Sequence, residues 1–577
     1  MRVLTVEEMR RVEKAADESG HGYAEMMERA GRGVAEALLA RQDVEARRIL
    51  VLVGPGNNGG DGLVAARYLA EAGAEVACYL LKPRDDDDPN FKALRERKLL
   101  ITSVADDKDW RKLRKLVAGV DVILDALLGT GVRLPLRGNV VKLLEQVSAG
   151  LKRRAEQAAR RTLRTPARPA APLSTPLVVG VDGPSGLDYD GGDLAPQALP
   201  AGLTVTFAYP KRGHFLFPGA AACGELVVAD IGVGHDLAQK LLGEPALEVA
   251  TAEMVGALLP ERPRDAHKGT FGKALLVVGS INYTGAAYLA ASGATRVGTG
   301  LVTLAVPGAI HDALAAKISE ATYLILSQSL GIVAPDAVKL LSEKMGDYQA
   351  VLLGSGLTQE KEAVEFVHKL LRTEAPHKRK RRIGFQSGEA SSSPDGVDQE
   401  DAEERRLAFP PLVVDADGLN ALAVLKDEEW WRRLPAPAVL TPHPGEMARL
   451  MGVGAKEVQA DRVGVAREMA PKWGHVIALK GAHTVVAGPD GRVVVLPFAT
   501  AALATAGSGD VLAGAIVGLL AQGLAPFEAA LAGAYLHGLA GSWAGEEIGL
   551  AGAVASDLLP RLPRALARVR PASTTEN

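Results

Sequence analysis

Apolar positions in the first forty residues recur at helical spacing: Met9, Val12 and Ala16, then Met26, Met27, Ala30, Val34 and Leu38. That is one face of an amphipathic helix. The period then changes. Residues 49–53 form an unbroken apolar run ending in glycine, and a helical pattern resumes near Leu63. Residues 120–124 run into Asp125, and residues 177–181 into Asp182, in the same way. Short apolar runs alternating with helical stretches predict an α/β fold around a parallel sheet. Ligand sites in such sheets gather at the carboxyl ends of the strands.

The pattern starts again in the second half, with strand candidates at 274–278, 301–306, 350–353, 412–414, 438–440 and 476–479. A boundary near 235–250, after Ile231-Gly232-Val233-Gly234, gives two domains, 1–240 and 246–570. Two stretches read as inserted loops because they lack apolar residues for a core. The first, about 151–175, is rich in Arg, Ala and Pro. The second, about 372–408, runs from the basic HKRKRR into the acidic DQEDAEE. The neighbouring acidic run favours a solvated loop over nucleic-acid binding for that basic cluster.

Composition narrows the class. With 577 residues the chain exceeds one hydrophobic core. It is 47% hydrophobic and 23% charged, with a formal net charge of −3, so no global field draws it to nucleic acid or anionic membrane. The apolar runs are too short for a transmembrane span, and the charged N-terminus lacks the apolar core of a signal peptide. Cys78 and Cys223 are far apart and form no metal or redox motif, which points to reduced structural thiols and a cytoplasmic location.

Chemistry enters at the strand ends. Gly54-Pro55-Gly56-Asn57-Asn58-Gly59-Gly60-Asp61-Gly62 joins a strand to a helix. Glycines let the backbone approach a ligand, and the free N–H groups of the helix start favour an anion. The other reading is a tight turn that binds nothing, but Asn57, Asn58 and Asp61 have no packing use at a strand end. Asp125-Ala126-Leu127-Leu128-Gly129-Thr130-Gly131 and Val181-Asp182-Gly183-Pro184-Ser185-Gly186-Leu187 stand at two further strand ends. Asn58, Asp125 and Ser185 could offer oxygens to a hard cation, and Asp182 could move a proton. For each, a strand-capping role is the alternative.

The trio GPGNNGGDG, DALLGTG and VDGPSGLD resembles the YjeF N-terminal family, the NAD(P)H-hydrate epimerases, over about residues 1–235. The resemblance implies a Rossmann-like fold, a potassium ion and a substrate that is NADH or NADPH hydrated on the nicotinamide ring. It places potassium on Asn58, Asp125 and Ser185. It places the substrate on Asn57, Asn58, Gly59, Gly60 and Asp61, on Gly129, Thr130, Gly131, Val132, Arg133, Leu134 and Pro135, and on Asp182, the catalytic carboxylate. The family more often has Ile where this chain has Gly183.

In the second half, Ala506-Gly507-Ser508-Gly509-Asp510-Val511-Leu512-Ala513-Gly514 combines an anion-binding turn with a carboxylate able to take a proton from an attacking hydroxyl. No P-loop pattern occurs. A glycine helix start with an acidic first turn is the bland alternative. DADGLN (415–420), TPHPGE (441–446) and LKGAHT (479–484) each follow a strand candidate, and His443 stands between two prolines.

With KGTFGKALLVVGS, YTGAA and GSGL upstream, these motifs resemble the ADP-dependent NAD(P)H-hydrate dehydratase branch of the ribokinase-like superfamily over about residues 250–565. The implied reaction has ADP, with Mg2+, phosphorylate the ring hydroxyl; phosphate then leaves and AMP is released. Asp510 would be the base and would also touch substrate. Gly285, Ala286, Gly356 and His443 would line the hydrate pocket. Lys480, Gly481, Ala482, His483, Thr484 and Gly509 would hold ADP. Ala506 replaces the family's first glycine, where a methyl could crowd the anion hole.

Together the halves imply a bifunctional repair enzyme. Its partners would be hydrated NADH or NADPH and ADP or AMP, without nucleic acid or membrane, in a homo-oligomer. Two rivals are a vitamin-precursor or sugar kinase, since fold alone does not fix function, and a first half that serves as a non-catalytic module.

Overall fold

The computed structural model describes residues 1–159, 175–372, 409–425, 429–435 and 437–570, and the chain divides between Leu247 and Glu248 into two compact units. The first unit is built on β1 (Arg48–Val53), β2 (Glu75–Leu80), β3 (Leu100–Ser103), β4 (Val122–Ala126), β5 (Leu177–Val181), β6 (Leu203–Phe207) and β7 (Glu225–Ala229). All neighbours are parallel, in the order β3-β2-β1-β4-β5-β6-β7. This is the Rossmann-like arrangement expected. The order reverses between β1 and β4, which opens a crevice at their carboxyl ends.

The pleat of β1 explains the layering. Ile49, Val51 and Val53 pack with the helices Val6–Glu18, Tyr23–Arg41 and Asn57–Glu71 on one face. Leu50 and Leu52 pack with Arg111–Gly119 and Asn139–Ala159 on the other. Strands buried on both faces lose polar alternation and read as continuous apolar runs.

Three sequence expectations need correcting. The helical pattern of residues 1–40 is two helices, because Gly20 takes a left-handed backbone (φ 97°) just after the first. Asp125 lies within β4 rather than after it. The stretch from residue 151 begins as helix, since Asn139–Ala159 continues through it, with Leu151 packed on the core and Arg154 donating to the Val117 carbonyl at 3.0 Å. Residues 160–174, and 373–408 of the second stretch, lie outside the described residues.

The N-terminus is stitched into its unit. Val3 N–H donates to the Leu247 carbonyl (2.9 Å), Leu4 N–H to Pro210 (3.0 Å), and Leu4 forms a parallel bridge with Lys211.

The second unit carries β8 (Glu248–Val249), β9 (Lys273–Val277), β10 (Leu301–Pro307), β11 (Ala321–Leu326), the hairpin β12 (Gln328–Ser329) and β13 (Ile332–Val333), β14 (Ala350–Leu353), β15 (Leu412–Val414), β16 (Val439–Leu440), β17 (Val476–Leu479), β18 (Val485–Ala487) and β19 (Val493–Val495). The large sheet runs β11-β10-β9-β14-β15-β16-β17-β18-β19-β8, parallel from β11 to β17 and antiparallel from β17 to β19. Ala274 and Leu276 share one core with the helices Thr284–Arg296, Ser508–Ala521 and Pro526–Glu547. This is the ribokinase-like layered architecture expected. A Cβ at Gly514 would collide with the Ala290 carbonyl oxygen, so glycine sets how closely the first two of these helices approach. Among the described residues no helix is long and apolar enough to cross a membrane.

Candidate active sites

In the first unit the predicted residues converge on the crevice beside β1, β4 and β5. A Cβ at Gly54 would collide with the Leu127 carbonyl oxygen, so glycine there lets the loops after β1 and β4 touch. Asp125 is fully buried. Its carboxylate accepts the Ser185 hydroxyl (2.6 Å) and the Ser185 N–H (2.9 Å), and Leu128 N–H donates to the Ser185 hydroxyl oxygen (3.0 Å). Burial holds the Asp125 carboxyl above its usual range, and only the hydroxyl and amide hydrogen bonds oppose that shift. Asn58 borders the same loop: a Cβ at Gly129 would lie 3.2 Å from its Oδ1. The buried amide nitrogen of Asn58 has no partner.

Asp182 is held differently. Its backbone is left-handed (φ 63°), and it sits beside a lysine the sequence reading missed. Lys211 Nζ, itself buried, donates to Asp182 Oδ1 at 2.7 Å and to Thr206 Oγ1 at 2.9 Å, while Thr206 donates to the same carboxylate oxygen at 2.8 Å. Burial opposes the charge of Asp182, but Lys211 outweighs it and the carboxyl stays below its usual range. His214 donates from Nε2 to the Asp182 carbonyl (3.0 Å) and accepts the Lys211 N–H at Nδ1 (3.1 Å). Burial lowers its pKa to about 4, so it is a neutral clamp. Asp61 and Glu13 feel the same cluster. Burial, with Asp182 and Glu13 beside it, pushes Asp61 up; burial and Asp182 raise Glu13 against the pull of Lys211.

The loop of Gly129, Thr130, Gly131, Val132, Arg133, Leu134 and Pro135 leaves Gly131, Arg133 and Pro135 exposed and packs Val132 near Tyr189. Asn57 is exposed, whereas Gly59 and Gly60 are buried. A Cβ at Gly183 would stand 2.6 Å from the Tyr189 hydroxyl, so the tyrosine ring fills the space a larger residue 183 would take.

In the second unit the motifs line the carboxyl ends of adjacent strands. Asp415, after β15, accepts Thr441 Oγ1 (2.7 Å), Ser355 Oγ (3.0 Å) and Lys480 Nζ (2.9 Å). Lys480 also lies 3.6 Å from Glu446. Burial works against its ammonium, but Asp415 and Glu446 raise it overall. Asp510 stands in the first turn of the helix Ser508–Ala521. Burial and the charge of Asp415 push its carboxyl up to about 7, against the opposing pull of Lys480. A helix start that attracts anions, with a carboxyl titrating near neutrality, can bind a phosphate and receive a proton. Lys480 Nζ would be 3.5 Å from a Cβ at Gly509. Ala506 is exposed and needs no left-handed backbone; Gly507 supplies that (φ 89°).

Other predicted residues divide. Gly356, left-handed at φ 73°, would place a Cβ 2.8 Å from Ala286, so those two meet, and Gly285 is open to solvent. His443 caps the helix Pro444–Met451: its Nδ1 accepts the Gly445 N–H (3.0 Å) and Glu446 closes the box on the His443 N–H (2.8 Å). Its ring is half-exposed beside the site. His483 is turned inward, its Nδ1 on the Leu496 carbonyl at 3.0 Å. Gly481 and Ala482 are exposed, and Thr484 donates to the Gly481 carbonyl (3.0 Å). The sequence reading missed Arg462, whose buried guanidinium donates to the carbonyls of Leu479 (3.1 Å), Ala482 (2.5 Å) and His483 (3.2 Å) and so fixes this loop. It also missed His537, which donates to the Ser508 carbonyl (2.9 Å).

Two α/β units, one with a parallel sheet and one with a mixed sheet, each with buried carboxylates at strand ends, define a two-site α/β enzyme. The family model YjeF-related protein N-terminus matches residues 23–213, and the model NAD(P)H-hydrate dehydratase matches 274–377 and 397–564. Similar full-length proteins are the bifunctional NAD(P)H-hydrate repair enzymes of Moorella thermoacetica (37% identical, 94% of this chain and 92% of that one), Thermofilum pendens (36%, 99% and 97%) and Escherichia coli (30%, 100% and 95%). A solved Bacillus subtilis ADP/ATP-dependent NAD(P)H-hydrate dehydratase, co-crystallised with ATP/Mg2+, is 31% identical over 56% of this chain and 99% of its own, with a TM-score of 0.44. The chain belongs to the bifunctional NAD(P)H-hydrate repair enzyme family.

Proposed function

We infer that this chain repairs NADH and NADPH hydrated on the nicotinamide ring. The first unit interconverts the R and S hydrates, and the second converts the S hydrate back to the reduced cofactor. The observation that carries this reading is the pair of differently tuned carboxylates, Asp182 and Asp510, each at the strand ends of its own sheet.

In the second unit Asp510 takes the proton from the ring hydroxyl as its oxygen attacks the β-phosphorus of ADP and AMP leaves. The C–O bond then breaks, the ring nitrogen pushes out phosphate, and loss of a ring proton restores the reduced cofactor. Gly285, Ala286, Gly356 and His443 line the hydrate pocket, and the loop Lys480–Thr484 with Gly509 holds the nucleotide. Asp415 and Asp417 both press charge on Asp510, and Lys480 is the cation beside Asp415 and Asp510. Incoming phosphates therefore fit this site with a Mg2+ of their own, which withdraws charge from them.

In the first unit Asp182 is the proton-transfer group, and the loops 57–61 and 129–135 hold the substrate. Potassium fits Asn58, Asp125 and Ser185 by charge, because Asp125 is a buried carboxylate with no cationic partner among the described residues. Held by Asn58, Asp125 and Ser185, a potassium ion would supply that counter-charge. The chain is proposed to work in the cytoplasm as a homo-oligomer.

The test is a coupled assay with R-hydrate and ADP. Restored absorbance of the reduced cofactor, dependent on both units, is expected; ATP-driven phosphorylation of an unrelated alcohol instead would support the kinase rival. Replacing potassium with a large organic cation should slow epimerisation, and an unchanged rate would remove potassium from the site.

A further inference from the structure

The first unit holds a cavity that the reading above leaves unused. It lies at the amino ends of β1 and β2, beside edge strand β3, and has a volume of ≈ 660 Å³. Because the strands are parallel, the strand-end carboxylates are at the far side of the sheet, roughly 15–20 Å away along strands of this length.

Its wall is of two kinds. Val76, Ala77, Ile101, Leu116 and Val120 make an apolar floor, and Leu100 at the mouth is 58% exposed. Arg48, Lys98, Lys112 and Lys115 line it as cations, against one carboxylate, Glu75. Among the described residues none of the four cations is in an ion pair. Thr102, 8% exposed, also lines the cavity, and its hydroxyl has no hydrogen-bond partner. That hydroxyl has almost no accessible surface, so it is closed off from the cavity, and the four cations are the polar groups a ligand head would meet.

We propose that this cavity is a second binding site, for a small amphipathic anion whose carboxylate or phosphate head meets Lys98, Lys112, Lys115 and Arg48 and whose apolar body lies on the floor between β2, β3 and the helix Arg111–Gly119. The volume is that of a small-molecule site, apolar with a few polar groups. Lysines around an edge strand oppose pairing with another strand, which favours a small ligand over a second copy of the chain.

Decanoate, decyl phosphate and neutral decanol are the probes, titrated calorimetrically into the full-length protein. Decanoate or decyl phosphate should bind at least tenfold more tightly than decanol, and the comparison of the two acids tells which head is preferred. The double variant Lys112→Glu, Lys115→Glu should weaken anion binding at least tenfold, whereas the isosteric Thr102→Val, at a hydroxyl closed off from the cavity, should leave it unchanged. Both variants should keep wild-type melting temperature and both repair rates, which shows that they are folded. Equal affinity for decanoate and decanol, no binding at all, or undiminished binding by the double variant overturns the proposal. So does a dimer that the double variant dissociates while no anion binds, since the face would then be an interface.

Discussion

Asp182, just after β5, and Asp510, in the first turn of the helix Ser508–Ala521, both stand in largely buried ground, yet their surroundings differ in one ammonium group. Lys211 is committed to Asp182 at 2.7 Å, with Thr206 on the same oxygen. Lys480, the cation that pulls on Asp510, is committed to Asp415 and Glu446 instead. Desolvation raises both carboxyls, so the placement of the lysine decides the outcome. One site keeps a permanent anion, and the other keeps a carboxyl near 7 that can accept a proton at cellular pH. Similar strand-end scaffolds therefore give different proton chemistry by moving a single cation.

The largest effect should come from removing the titrating member. Asp510→Asn is expected to lower the dehydration rate about 10²–10⁴-fold and to leave epimerisation unchanged. Near-normal ADP-dependent turnover would remove Asp510 from the base role. Removing the fixed cation should act on stability. Lys211→Met leaves Asp182 charged, buried and unpaired, which costs about 3–5 kcal/mol. The urea unfolding midpoint of the first unit, read by pulse proteolysis, should then shift to lower concentration, and adding Asp182→Asn should recover part of the loss. An unshifted midpoint would mean that the pair does not hold the unit together.

The contrast sharpens further at Gly183. Ile there would drive its Cβ against the Tyr189 hydroxyl, an overpacking worth about 1–3 kcal/mol. With Tyr189→Ala in the background that penalty should vanish, and a Gly183→Ile cost that is the same with Tyr or Ala at 189 would refute the space-filling account. The mildest test is pH. Below 7 Asp510 becomes protonated and loses its base function, so dehydration should fall about tenfold per pH unit. Asp182, held low, stays ionised over the same window, so epimerisation between pH 5.5 and 8 should change much less. Parallel profiles for the two activities would erase the distinction.

The parts of this arrangement legible in the sequence are those carried by contiguous residues. Strands such as 49–53, 177–181 and 476–479 are apolar on both faces, and GPGNNGGDG and AGSGD mark their own turns. Lys211 was not legible because its meaning depends on Asp182, 29 residues earlier, and on Thr206, which looks like an ordinary strand residue. Its signal is a lysine two residues past Tyr209 after β6, followed by Arg212, Gly213 and His214. Arg462 and His537 sit within helices, where a charged or polar residue reads as a solvated face until the fold turns it toward backbone carbonyls. Asp415 and Thr441 were visible within motifs, but the bonds that Thr441 and Lys480 both donate to Asp415 appear only when β15, β16 and β17 lie side by side.

The stitch that joins Val3 to Leu247 and Leu4 to Pro210 and Lys211 has a consequence for synthesis. Val3 and Leu4 leave the ribosome more than two hundred positions ahead of their partners. Contacts of such sequence separation form late, so the seam should close only after β6 and β7 have emerged. Lys211 lies in that seam, so the ammonium that fixes Asp182 reaches its place among the last contacts of the unit. Because the two ends of the unit meet there, a circularly permuted version that joins residues 1 and 247 by a short linker should still fold.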